Sequence, residues 1–154
     1  MANFDVVIRG GHVLDPDNGT DHVADVGIKS GKIDQVGEGL DTTGATVHEA
    51  SGRYVMPGHI DIHTHVSAVA ERGLDRAVGF KMLAESGTTT ALDLNGEPNS
   101  FADGMKRRGA GMNMATVLSL VPHESIPEDD PRPSVVRTAL DKALVDGAIG
   151  LKMI

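Results

Sequence analysis

The residues with the clearest chemical potential are His63 and His65, separated by a single residue within His59-Ile60-Asp61-Ile62-His63-Thr64-His65. On an extended strand, residues i and i+2 face the same side. Two neutral imidazoles presented in this way can hold one Zn2+ or a similar borderline cation. Asp61 shares that face one layer deeper, and it reads as a partner that orients its neighbours rather than as a catalytic group. A His-x-His pair also arises without function, so the spacing alone leaves the metal reading open. His12, His22, His48 and His59 show no such pairing and read as surface or satisfied core residues.

Lys152 is the second residue of interest. It stands in the otherwise apolar Gly147-Ala148-Ile149-Gly150-Leu151-Lys152-Met153-Ile154. Pointed into a closed interior, its ammonium would be costly to desolvate, which favours the neutral amine. A neutral amine can take up carbon dioxide as a carbamate, a two-oxygen anion suited to bridging two cations. The competing reading is a lysine whose stem lies on apolar surface while its head stays in water.

These groups need elements to position them. Phe4 to Arg9 reads as a strand ended by Gly10-Gly11, followed by His12-Val13-Leu14 and by strong turn chemistry in Asp15-Pro16-Asp17-Asn18-Gly19. Ala24–Lys29 and Lys32–Val36 flank Ser30-Gly31 as a hairpin, and Thr46–Ala50 and Arg53–Val55 add short strands. After Pro57-Gly58 the pattern changes. Strands over His59–His63, Thr88–Asp93, Met112–Val121 and Ala148–Ile154 alternate with helices over Leu74–Ser86, Ser100–Arg108 and Pro133–Asp146. Alternation of this kind implies a parallel sheet with crossover helices. A (β/α)8 barrel or an open doubly wound sheet would both satisfy it, and four strands are half of a barrel. Barrel sites lie at the C-terminal ends of the strands, which makes Asn95 and His123 candidates for substrate contact, although polar residues in such loops often only cap or turn the chain. Asp93 can be read as a buried structural carboxylate. Glu124, Glu128, Asp129 and Asp130 form a charged loop, most simply a solvated one.

Composition narrows the function classes. The 154 residues are 40% apolar and 23% charged, as in a globular protein, and aromatic residues make up only 3%, so aliphatic side chains must fill the core. A net charge of -8 without a Lys/Arg-rich block argues against a nucleic-acid partner. The chain has no Cys, which rules out disulfides and thiolate ligands. No basic segment leads into a long apolar run and no window has ~20 apolar residues, so no secretory leader or membrane span is read and a cytoplasmic location is the default expectation.

Pro57-Gly58-His59-Ile60-Asp61-Ile62-His63-Thr64-His65, preceded by a β module ending in Gly52-Arg53-Tyr54-Val55-Met56, resembles the amidohydrolase superfamily. Asp5 to Asp15 resembles the usual opening of that family, as does Asp25 to Ile33, so the resemblance covers essentially the whole chain. Gly147 to Lys152 is similar to the urease version of a fourth-strand segment. The dihydroorotase, hydantoinase and N-acyl-D-amino-acid deacylase branch is the most similar. The resemblance implies the first four βα units of a (β/α)8 barrel (residues 57–154), preceded by the N-terminal part of a small β-sandwich module (residues 1–56). It implies that His63, His65 and a carbamylated Lys152 are ligands of a centre of two divalent metals, Zn2+ by preference. It further implies a hydroxide bridging the two metals that attacks a small-molecule amide substrate, either cyclic or N-acylated. The deacylases carry a metal-binding cysteine where Gly96 stands, and usually lack the lysine. Loss of one and gain of the other moves the reading toward the hydantoinase and dihydroorotase type of site. Two further His ligands and the proton-shuttling Asp are expected beyond residue 154, so the catalytic residue is unknown and the chain alone is expected to be inactive, as an N-terminal fragment. Alternatives are a non-catalytic scaffold or assembly subunit and an esterase of the same superfamily. Homo-oligomerisation is left open.

Overall fold

The structure is a computed structural model and describes residues 3–67, 73, 76–95, 98, 101, 105–106, 109–121, 123–126 and 132–153. Leu74, Gly96, Glu128, Asp129, Asp130 and Ile154 therefore lie outside the described residues, as does most of the helix expected over 100–108, of which Phe101, Met105 and Lys106 are helical. The chain divides into two compact units, Met1–Pro57 and Gly58–Ile154.

The first unit is a five-stranded sheet of β1 (Val6–Asp15), β2 (Thr20–Lys29), β3 (Lys32–Gly37), β4 (Thr46–Glu49) and β5 (Tyr54–Val55). Its order is β3-β2-β1-β4, with β5 also pairing β1. The β1–β2 and β2–β3 pairs are antiparallel hairpins, whereas β4 and β5 run parallel to β1. Val13, Ala24 and Val26 form its buried cluster, with Ile8, Ile28 and Val55 packed against it. Where a sandwich module is expected, the described residues thus form one sheet.

The expected strand end at Gly10-Gly11 is instead a bulge within β1. The register shifts between Ile8 and Gly11, and Gly10 takes φ +68°, a backbone region that costs glycine little. The Gly10 N–H, released from the ladder, donates to Asp25 Oδ1 at 2.8 Å, so the break in pairing leaves no orphan donor. The Ser30-Gly31 turn has φ of 52° and 74°, the left-handed pair that matches hairpin twist.

The second unit contains β6 (His59–Thr64), α1 (Arg76–Glu85), β7 (Thr88–Asp93), β8 (Asn113–Thr116), β9 (Leu118–Leu120), α2 (Pro133–Val145) and β10 (Leu151–Met153). β6, β7 and β8 form a parallel sheet in that order, and β9 pairs in parallel with β10. The single strand expected over Met112–Val121 is therefore two strands. Asn113–Thr116 pairs with β7, while Leu118–Leu120 pairs with β10, so the ladder changes neighbour around Val117. Backbone bonds from Ile149 N to Thr116 O and from Leu118 N to Gly150 O, 2.9 and 3.0 Å, join the two ladders at this handover. Within the three-stranded sheet the parallel strands follow one another in chain order.

Candidate metal centre

The paired histidines come from the end of β6 and the residue just after it. His63 Nε2 and His65 Nε2 lie 3.3 Å apart, with ring centroids 5.3 Å apart and planes 35° off parallel. Two nitrogens each about 2.0–2.1 Å from a tetrahedral Zn2+ would be separated by roughly 3.3–3.4 Å. The separation is compatible with a shared ion, and it equally suits an N–H···N bond between the rings. Both side chains are exposed, and Thr64 between them is buried, as strand alternation requires. Asp61, half-buried, accepts the His63 backbone N–H at Oδ1, 3.0 Å away. It acts on the pair through the backbone, not by approaching the ion-facing nitrogens. Among the described residues no group of three or more His, Asp or Glu side chains is gathered for a metal.

The segment after β6 is held from the neighbouring strand. Asp93, at the end of β7, is fully buried. Its Oδ2 accepts the Ser67 N–H at 2.8 Å and its Oδ1 accepts the Asn95 N–H at 3.0 Å. The Asp93 carbonyl in turn accepts the Thr116 hydroxyl at 3.1 Å, and the Thr64 hydroxyl donates to Leu92 O, also at 3.1 Å. On the other side Val66 packs against Gly79 of α1, where an added Cβ would lie 3.0 Å from Val66 Cβ and 3.2 Å from its carbonyl oxygen. The Ser67 hydroxyl is buried with no hydrogen-bond partner among the described residues. Reading the sequence for strand-end polar residues identifies Asp93 as a structural carboxylate. The closeness of Val66 to Gly79 has no sequence signal.

Lys152 is half-buried between the exposed Leu151 and Met153. Its Cα partner is Ser119, three positions beyond Thr116, which pairs with Asp93. Lys152 is thus the central residue of β10, in a ladder distinct from that of β6, β7 and β8. Asn95 is half-buried and lines a cavity of about 450 Å3 with Leu118, Ser119, Glu124 and Lys142. His123 is exposed, with φ 61°. The histidine pair lines a different and more open cleft of about 390 Å3 with Asp61, Val66, Met82 and Leu83. The larger cavity holds neither histidine, and ligand chemistry rather than volume marks the candidate centre.

Three curated relatives align with this chain. It is 38% identical over 90 residues to a dihydroorotase from Trichlorobacter lovleyi, an alignment that takes in 58% of this chain and 20% of that protein. Identity to a D-hydantoinase from Rhizobium radiobacter is 42% over 93 residues, again 58% and 20%. An allantoinase from Rubrobacter xylanophilus is 38% identical over 104 residues, 64% and 22%. The chain spans about a fifth of the length of the curated relatives it matches. The homologues of this chain include proteins named dihydroorotase, D-hydantoinase and allantoinase. Among solved structures, this chain matches D-aminoacylase with TM-score 0.68 and 21% identity, covering 96% of the chain and 38% of that one. It matches the L-hydantoinase of Arthrobacter aurescens with TM-score 0.57 and 22% identity, covering 96% and 32%. An N-acyl-D-glutamate deacylase from Bordetella bronchiseptica, solved with zinc and a phosphonate inhibitor, matches with TM-score 0.64 and 20% identity, covering 96% and 38%. At these identities the solved structures speak to the mixed α/β fold. No family model matches the chain.

Proposed function

We propose that this chain carries the first ligand strand and the bridging-lysine strand of a metal-dependent hydrolase that cleaves C–N bonds of cyclic or N-acyl amides. In this reading residues 57–154 are the first four βα units of a (β/α)8 barrel, and residues 1–56 are part of a β-sandwich. The observation that carries it is the 3.3 Å separation of the His63 and His65 Nε2 atoms, which matches two ligands on one tetrahedral ion. The parallel pairing of β10 with β9 is in keeping with this reading, since Lys152 stands on a strand that follows β6, β7 and β8 in the chain. When bound, a divalent metal would polarise the amide oxygen and lower the pKa of a coordinated water.

Each residue has a part in this proposal. His63 and His65 hold the ion through Nε2, and Asp61 fixes the backbone on which His63 turns. Lys152, as a carbamate, would supply an anionic ligand, and Asn95 would offer a polar contact to substrate, with His123 a further candidate.

Equilibrium dialysis against Zn2+, followed by metal analysis, tests the central claim. The chain should retain zinc. His63→Ala and His65→Ala should each weaken retention by more than the ~10–100-fold expected for loss of an outer partner. Failure of the unsubstituted chain to retain zinc, or full retention by both variants, would remove the basis of the proposal.

A further inference from the structure

Asp93 contributes no atom to the candidate centre, yet it touches two segments around it. It is fully buried at the end of β7, and its two carboxylate oxygens are divided between two loops. Oδ2 accepts the backbone N–H of Ser67, two residues past His65, while Oδ1 accepts that of Asn95, two residues past Asp93 itself. Each loop follows a parallel strand, and the two strands are neighbours, with Thr64 paired to Asp93. The Leu94 N–H donates to Thr64 O at 2.9 Å, so the ladder continues up to the point where the carboxylate takes over.

We infer that Asp93 is a positioning residue: by holding the Ser67 and Asn95 amides together, it sets the pose of His65 beside His63 and places Asn95 relative to that pair. The inference rests on the metal-ligand reading of the two histidines. The physical reason is that a His-x-His pair spanning a strand end has one member within the strand and one outside it. His63 is held by Asp61, whereas His65 lies past the last residue of β6, beyond the final ladder bond from Leu94 N–H to Thr64 O. A charge-assisted pair of bonds to a buried carboxylate supplies the missing restraint and costs no reorganisation on metal binding. Asparagine would not replace it. Its amide nitrogen would face one of the two N–H donors, leaving donor against donor at one loop.

The test compares Asp93→Asn with Thr116→Val. Thr116→Val removes the hydroxyl that donates to the Asp93 carbonyl, so it loosens the same strand end without altering the carboxylate. Zn2+ affinity of the whole chain and its thermal midpoint are measured for both. Asp93→Asn should weaken zinc binding ~10–100-fold, and Thr116→Val should leave affinity unchanged even where it lowers the midpoint as much. Equal loss of affinity in both variants, or none in Asp93→Asn, overturns the inference. Should Asp93→Asn fail to fold, amide exchange in the unsubstituted, metal-free chain decides. The Ser67 and Asn95 amides should exchange slowly and gain protection together on zinc addition, and a Ser67 amide exchanging at the rate of an exposed loop overturns the clamp. If the unsubstituted chain binds no zinc, the metal reading fails by itself, and metal-free protection of the two amides still reports whether Asp93 joins the loops.

Discussion

Several aspartates in this chain do the same job in different surroundings. Asp93 and Asp25 are buried and each accepts two backbone N–H groups, Asp25 from Gly10 and Leu40. Asp61 accepts one, beside a ligand candidate. Asp15 is half-buried and accepts the Asn18 side chain at 2.6 Å, with the Asn18 backbone N–H at 3.4 Å. That side-chain bond is the main cause of an Asp15 carboxyl held below the ordinary carboxylate range. A lowered carboxylate stabilises the fold at neutral pH, and its contribution is lost as pH falls through the folded-state value. The β1–β2 turn should therefore loosen only in acid. Asn18→Ala should raise the Asp15 titration midpoint toward the ordinary value, as followed by carboxyl-carbon NMR, and an unmoved midpoint would assign the shift to another cause.

At the scale of elements, the histidine loop is pressed between β7 and α1. Gly79 allows this, because a Cβ there would meet Val66 Cβ at 3.0 Å, its carbonyl oxygen at 3.2 Å and its Cα at 3.3 Å. Two of those atoms are backbone, which cannot rotate aside as a side chain would. Gly79→Ala gains about 1 kcal/mol in helix propensity and loses about 1–3 kcal/mol to overpacking. We expect a net loss near 1 kcal/mol, measured by urea unfolding, together with weaker zinc binding because Val66 adjoins His65. A stabilised Gly79→Ala would mean that α1 moves freely against the loop.

At the scale of the molecule, the second unit presents its outer strands without cover. Ile60 and Ile62 of β6 are 62% and 73% exposed, and Met153 of β10 is 80% exposed. Strands of this kind offer unpaired N–H and C=O groups alongside apolar surface, and they promote pairing between chains. Sedimentation should show self-association that grows with concentration, and Ile62→Lys or Met153→Lys should reduce it. A monomer at all concentrations would show that these strands do not pair. No helix among the described residues is long and apolar enough to cross a membrane, so these side chains do not belong to a helical membrane span.

Much of the site was legible in residue types and intervals, because the relevant periods are local. An i, i+2 spacing on a strand faces both imidazoles the same way wherever that strand sits, and turn residues such as Ser30-Gly31 impose their own backbone angles. The alternation of strand and helix after Pro57 announced parallel pairing for the same reason. Tertiary structure alone decided what depends on a neighbour distant in the chain. Asp25 turned Gly10-Gly11 from a strand end into a bulge by receiving the freed amide. A change of partner from β7 to β10 split Met112–Val121 in two. Asp93 reached back across 26 positions to Ser67, and only the packed sheet reveals that a carboxylate on one strand holds the loop of the next. Hydrogen bonds and close contacts of this kind are set by distance in space, which a single sequence does not encode position by position.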